Sequence, residues 1–449
     1  MINIAFLNQL ASAQSDTEFT RTAAGLATLQ VYDSIKSNGF DAFVHQDALE
    51  RVQRDIVNIE TGASVRPALE SVVQALPFWD TGGYTRIGRR AVYTALLVYG
   101  QALGDEGEWQ IAESVYALVG MDAELDGETW LAAEARLLMG RASRMCADWE
   151  SSRIAYRRAY ELGIEAGDMS IALRAQIGEA NNLWSRGDFP AARRLLNTTA
   201  RRARQSCPAV LPRVTLALAG VANAAGEHER AIHLAFGLLG SLTDDDELVY
   251  QTLVDLAAFL SDYGLPTVAA ASLRLVEQAA PEARVRRHAR LNRLFLAAHG
   301  DDELAFTSLR VALASEPLTP RQLAQYSLFS AQGFRRFSQL DAAEAAADRA
   351  VQLANQFQLF QLVFEAEAEL REIQSARAEL RAAAGTQSVH SDQPRARTND
   401  SNAHAASTTR YRSTTGEKLP PRMRHVAESI ENMATQRFAA RELELSSAQ

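Results

Sequence analysis

Lysine is almost missing from this 449-residue chain: Lys36 and Lys418 are the only two, so 44 of the 46 basic residues are arginine. Coding bias toward Arg and Ala is the first explanation for that imbalance, and chemistry the second. Cysteine is nearly as scarce. Cys146 and Cys207 stand too far apart in sequence to match a metal or redox spacing, which excludes a disulfide framework. Glycine (25) and proline (12) are both sparse, which disfavours collagen-like and many-turned β architectures and favours long helices joined by short turns. No long hydrophobic run is present, so no membrane span is expected. Asn3, Asn8 and Gln9 interrupt the short apolar run near the start, with no Arg or Lys before it, and the expected location is the cytoplasm. A net charge of -9 makes the molecule as a whole a poor polyanion binder, although local basic patches remain open.

What the chain has instead is repetition. Seven times a small residue is followed at +4 and +7 by further packing residues: Ala112/Tyr116/Val119, Ser152/Tyr156/Ala159, Ala192/Leu196/Thr199, Ala231/Ala235/Leu238, Ala269/Leu273/Val276, Ala305/Leu309/Ala312 and Ala343/Ala347/Ala350. Five residues before each first member stands a small turn-former: Gly107, Ala147, Gly187, Gly226, Gly264, Gly300 and Ser338. The unit is a helix, a tight turn and a second helix whose small anchor admits its partner closely. A lone helix pair cannot cover its apolar face, whereas stacked pairs bury a continuous core, so repetition is itself the stabilising device.

With Gly100, Gly107-Glu108-Trp109, Ala112 and Tyr116, and again with Gly187-Asp188-Phe189-Pro190-Ala191-Ala192, the chain resembles the tetratricopeptide repeat family. Its spacing of 36 to 40 exceeds that family's standard period and is similar to the arm of MalT-like bacterial regulators. The resemblance implies an all-α, right-handed solenoid of antiparallel helix pairs. The expected organisation is a helical cap or degenerate repeats over 1–89, about seven repeats with a capping helix over 90–383, a Ser/Thr/Asn-rich disordered linker over 384–417, and a helical segment over 418–449.

No catalytic constellation is visible. The eight histidines form no metal-ligand spacing, and there is no phosphate loop, Gly-x-Ser-x-Gly elbow or dinucleotide fingerprint, so neither enzyme, cofactor nor metal is expected. The expectation is a binding protein. In the tetratricopeptide register the inner groove receives Arg141, Arg144, Arg174, Asn181, Trp184, Arg213, Asn223, Arg287 and Arg290, a set suited to an acidic peptide or small anionic effector, with Trp184 as a stacking face. The competing reading is a row of solvated helix arginines. Trp109, Trp149 and Tyr156 read as core, and the clusters Arg201–Arg204 and Arg284–Arg293 as solvated or partner-facing surface.

Leu419-Pro420-Pro421-Arg422-Met423-Arg424-His425-Val426, followed by Ile430, Gln436, Arg437, Ala440, Leu443 and Leu445, resembles the opening of a LuxR-type helix-turn-helix. It implies a DNA-binding remnant carrying Arg422, Arg424, Gln436 and Arg437. Met433 stands where that family has glycine, and the recognition helix is expected only beyond Gln449. The alternative is an amphipathic tail helix over Pro421–Leu445. Two functions therefore stand: the sensing or docking arm of a bacterial regulator, or an adaptor-like scaffold with no role in transcription. The partner is expected to be a protein or peptide, with DNA as a second partner left open.

Overall fold

Six of the seven repeat turns are built on a left-handed residue at the same position. Gly107, Gly187, Gly226 and Gly264 have φ between +80° and +99°, and Ala147 and Ser338 adopt +59° and +61°. In that conformation the chain folds back on the helix just ended, so that Asp148 N–H bonds the Ser143 carbonyl at 2.9 Å and Asp188 N–H the Leu183 carbonyl at 2.9 Å. An aspartate then opens the following helix: Asp148, Asp188 and Asp302 accept from Ser151, Ala191 and Ala305 N–H at 2.9–3.1 Å. One residue thus ends one helix, and its successor starts the next.

The computed structural model describes residues 2–13, 15–60, 64–80, 85–242, 248–387, 420 and 423–432. The fold is all-α, as the repeat pattern implies, with no strand among the described residues. Four helices lead: α1 (Ile2–Ser12), α2 (Asp16–Asn38), α3 (Ala42–Val57) and α4 (Val65–Ala75). The pairs follow as α5 (Thr85–Glu106) with α6 (Trp109–Leu125), α7 (Thr129–Met145) with α8 (Trp149–Glu165), and α9 (Met169–Ser185) with α10 (Phe189–Ser206). Next come α11 (Leu211–Ala224) with α12 (His228–Leu239), α13 (Leu248–Tyr263) with α14 (Pro266–Ala279), α15 (Ala283–His299) with α16 (Glu303–Ala314), and α17 (Pro320–Arg336) with α18 (Leu340–Gln356). Helix α19 (Phe360–Gln387) follows the last pair, and a short tail helix occupies 423–432.

The chain forms two compact units. Unit 1 comprises Met1–Val221 with Glu282–Arg284 and Pro317–Pro320; unit 2 comprises Ala222–Pro281, Val285–Glu316 and Arg321–Gln449. In unit 1 the leading helices cover the first pair. Tyr32, Trp79 and Tyr93 meet edge to face at 5.4 and 5.6 Å, and the Tyr32 hydroxyl donates to Asp122 at 2.6 Å, where Lys36 also pairs. The Tyr156 ring lies over both Gly140 and Gly178, so a single aromatic on α8 seals the α7 and α9 backbones. In unit 2 the same device uses Phe306 against Gly333.

The anchors Ala112, Ser152, Ala192, Ala231, Ala269 and Ala343 are fully buried. In the sixth repeat the expected Ala305 is only partly buried, and Phe306 takes its place. The cause is a loop one residue longer: Gly300 lacks the positive φ of its counterparts, and Asp302 rather than Asp301 caps the helix.

Candidate functional site

The first helices of three successive repeats, α5, α7 and α9, line a groove in unit 1 with a cavity of about 400 Å³. Helix α5 brings Thr94, Leu97, Val98 and Gln101; α7 brings Trp130, Leu131, Glu134 and Leu138; α9 brings Ser170, Ile171 and Arg174, with Asp168 at its cap. These residues recur at three or four along each helix, which places them on one face. The floor is aliphatic and the walls are polar. Trp130 is half exposed, and its indole N–H donates to Asp168 at 2.9 Å, while the other oxygen of that carboxylate caps α9.

Arg174 stands in this groove, but it faces Glu134 with both terminal nitrogens, each at 3.2 Å from a carboxylate oxygen. The pair is 40 residues apart, one repeat period, so it ties α7 to α9 as well as lining the wall. Arg141 and Arg144 lie one to two helical turns beyond Leu138 on the same helix. No carboxylate among the described residues forms an ion pair with either. Arg141 stacks over the Trp109 ring at 5.7 Å. Burial, with the nearby guanidinium groups of Arg284 and Arg144 adding repulsion, pushes its pKa down to about 10, so it remains charged at neutral pH. The Arg144 Nε is buried without a hydrogen-bond partner. Asn181 is partly exposed on α9, and its side chain makes no hydrogen bond with a described residue. Trp184 is partly buried against the cluster around Leu173 and Leu196, and Arg213 is partly exposed on α11.

The remaining groove candidates belong to unit 2 and are engaged within the fold. Asn223 donates to Asp262 at 2.6 Å and meets His228 at 2.8 Å, joining α11, α12 and α13. Arg287 is 5% exposed and pairs with Glu316 at 3.1 Å; Arg290 pairs with the same carboxylate, and Arg293 with Glu277. The basic run on α15 is therefore largely neutralised by α14 and by the residues after α16. Trp109, Trp149 and Tyr156 are buried core residues, as expected.

Of the helix-turn-helix residues, Arg422, Gln436 and Arg437 lie outside the described residues, as does most of the expected 384–417 linker. Arg424 is exposed on the tail helix, which buries Met423, Val426, Ala427 and Ile430. Sequence reasoning did not pick out Trp130 and Glu134. Both were within reach of the repeat register, because each lies 40 residues before an α9 groove residue, Ser170 and Arg174.

No family model matches the sequence, and no curated protein matches it. Among solved structures the chain is similar to a Rap protein complexed with competence and sporulation factor, at 13% identity over 80% of this chain and 99% of that one, with a TM-score of 0.45. It is also similar to the apo form of RapI, at 12% identity over 78% and 99% (TM-score 0.41). A third similar structure is the Rap conjugation gene regulator of plasmid pLS20 in complex with the Phr* peptide, at 13% identity over 79% and 96% (TM-score 0.42).

Proposed function

We propose that this is a non-catalytic binding protein whose unit 1 groove takes an extended acidic peptide. The observation that carries the reading is the enclosed, uncompensated pair Arg141 and Arg144. A buried guanidinium without an anionic partner is costly, and a ligand carboxylate arriving there would relieve that cost. The adjoining aliphatic cavity with Trp130 suits an apolar side chain of the same ligand, and the free Asn181 amide suits its backbone. The test is selection of a random decapeptide display library on the intact protein and on Arg141→Ala/Arg144→Ala. An acidic consensus on the parent that disappears on the variant supports the proposal; the same consensus on both overturns it.

The wider role we infer is the sensing or docking arm of a bacterial regulatory system, drawn from repeats followed by a segment that resembles a LuxR-type opening. A second reading, the adaptor with no part in transcription, is favoured by burial of Met423, Val426 and Ile430 within the chain. Mobility shift in low and near-physiological salt separates the two. Salt-sensitive retention of duplex DNA supports the regulator, and its absence even when the natural downstream coding sequence is restored supports the adaptor.

A further inference from the structure

Coding bias accounts for arginine in place of lysine, but not for where the acids are missing. Aspartate and glutamate supply 55 of the 449 residues, yet none falls between Phe189 and Gly226, a stretch that carries six arginines. Five of the six are on α10, the second helix of its pair in unit 1. That helix buries Ala192, Leu196, Thr199, Ala200 and Ala203 and turns Arg194, Arg201, Arg202 and Arg204 outward, all four exposed. Arg194 and Arg201 stand two turns apart in one row, about 10.5 Å along the axis, with Arg202 and Arg204 on either side of it. Arg201 reaches the Thr198 hydroxyl at 3.4 Å and Arg202 the Tyr160 hydroxyl of α8 at 3.2 Å, and no carboxylate among the described residues pairs with any of the four. On α8 the arrangement is the opposite. Arg153 pairs there with Glu150, Arg157 with Glu161, and Arg158 with Glu124 and Glu161.

We propose that the outward face of α10 is a docking surface for the phosphate backbone of a duplex nucleic acid, contacted without regard to base sequence. Three features select that occupant. A protein interface is centred on apolar or aromatic anchors, whereas the exposed residues of α10 besides its arginines are Pro190, Asn197, Gln205 and Ser206. A single strand is held by bases stacked on aromatic rings, and the one aromatic of this helix, Phe189, is partly buried. A lipid surface calls for a broad cationic face, whereas these arginines form a strip one helix wide beside the balanced α8. Duplex phosphates require only positive charge at suitable spacing. The net charge of -9 repels a polyanion from the molecule as a whole and so confines contact to this strip. Neither the unit 1 groove nor the tail segment takes part, so this surface stands or falls apart from both functional readings.

The probe is a fluorescein-labelled DNA duplex of arbitrary sequence, titrated with the full-length protein and followed by anisotropy over a range of salt. Four phosphate contacts give a slope of about -3.6 in log affinity against log salt, so a fourfold rise in salt should weaken binding about a hundredfold. Arg194→Gln/Arg201→Gln/Arg202→Gln/Arg204→Gln should lose most of that slope. Arg194→Lys/Arg201→Lys/Arg202→Lys/Arg204→Lys should keep it, because a backbone phosphate reads charge, and the lysine variant separates lost contacts from lost folding. Arg422→Gln/Arg424→Gln, which alters the tail segment alone, should bind as the parent does. No binding by the parent at low salt, a parental slope in the glutamine variant, or loss of binding in the lysine or tail variant overturns the proposal. Retention of phosphatidylglycerol vesicles in preference to the duplex overturns it equally.

Discussion

Replacing Asp255 with asparagine should stabilise unit 2 at alkaline pH and do little at acid pH. Asp255 projects from α13, solvent-accessible only in part, with the Gln251 amide donating to it at 3.0 Å and no cation pairing with it among the described residues. Burial pushes its pKa to about 7 from an ordinary 3.8, and the Gln251 hydrogen bond opposes that shift only weakly. The folded state therefore favours the protonated acid. As pH rises through 3.8 the unfolded chain releases its proton while the folded one keeps it, and stability falls until the folded carboxyl also ionises near 7. A shift of about three units corresponds to an upper limit of about 4 kcal/mol, and partial access of water to the site brings the expected loss to about 2 kcal/mol. The asparagine side chain has no proton to release, so the variant escapes the loss. In thermal melts followed by circular dichroism, Asp255→Asn should match the parent near pH 4 and melt about 4–8 °C higher at pH 8. A difference in melting temperature that is the same at both pH values would refute the reasoning, because an isosteric packing effect carries no pH dependence.

Other outcomes follow from single positions. Ala147 holds a left-handed turn at φ +59° where Gly107, Gly187, Gly226 and Gly264 serve its counterparts, so Ala147→Gly should raise stability by about 0.5–1 kcal/mol in denaturant titration. A Cβ at Gly178 would stand 2.3 Å from the Tyr156 ring, which Gly140 confines from the other side; Gly178→Ala should cost about 1–3 kcal/mol, read as a lowered unfolding midpoint. Burial pushes the Cys146 thiol up to about 12, so at pH 8 it should alkylate about a thousandfold more slowly than free cysteine in a mass-spectrometric time course.

The helix pairs were legible because each turn is local. A small turn-former, an acid or its substitute, and an anchor within six residues suffice to reverse the chain, and that pattern survives in one-dimensional form. The sixth repeat escaped because a single inserted residue, Asp301 after Gly300, shifts the anchor from Ala305 to Phe306, and both are apolar. Of the nine residues that the register assigns to the groove, Arg174 lines the cavity, on the wall beside Trp130 and Glu134. What the register could not show is pairing. Arg174 meets Glu134 across 40 residues, Arg287 meets Glu316 across 29, and Asn223 meets Asp262 across 39. Nothing in the spacing of the arginines themselves indicates which has a carboxylate opposite it one repeat away.

That pairing gives the arginine excess a structural use. Repeat units touch only their neighbours, so the stability of such an array depends on each successive interface. Side chains that reach about one repeat period away are well suited to join them: Arg174 to Glu134, Arg335 to Glu369 and Arg158 to Glu124 all do so. Guanidinium serves that purpose better than ammonium, since its planar fork engages both oxygens of a carboxylate and leaves donors to spare. Arg335 shows the geometry, with Nε and one terminal nitrogen each on a different oxygen of the buried Glu369. Against that background an enclosed arginine with no carboxylate stands out. Arg141 and Arg144 occupy positions on α7 where stitching would be expected, yet Arg141 meets the Trp109 indole and neither meets an acid among the described residues, on the helix whose Leu138 lines the cavity. In a repeat array built on paired arginines, two enclosed and uncompensated ones mark where negative charge would be most strongly favoured, and on the proposed reading a ligand carboxylate supplies it.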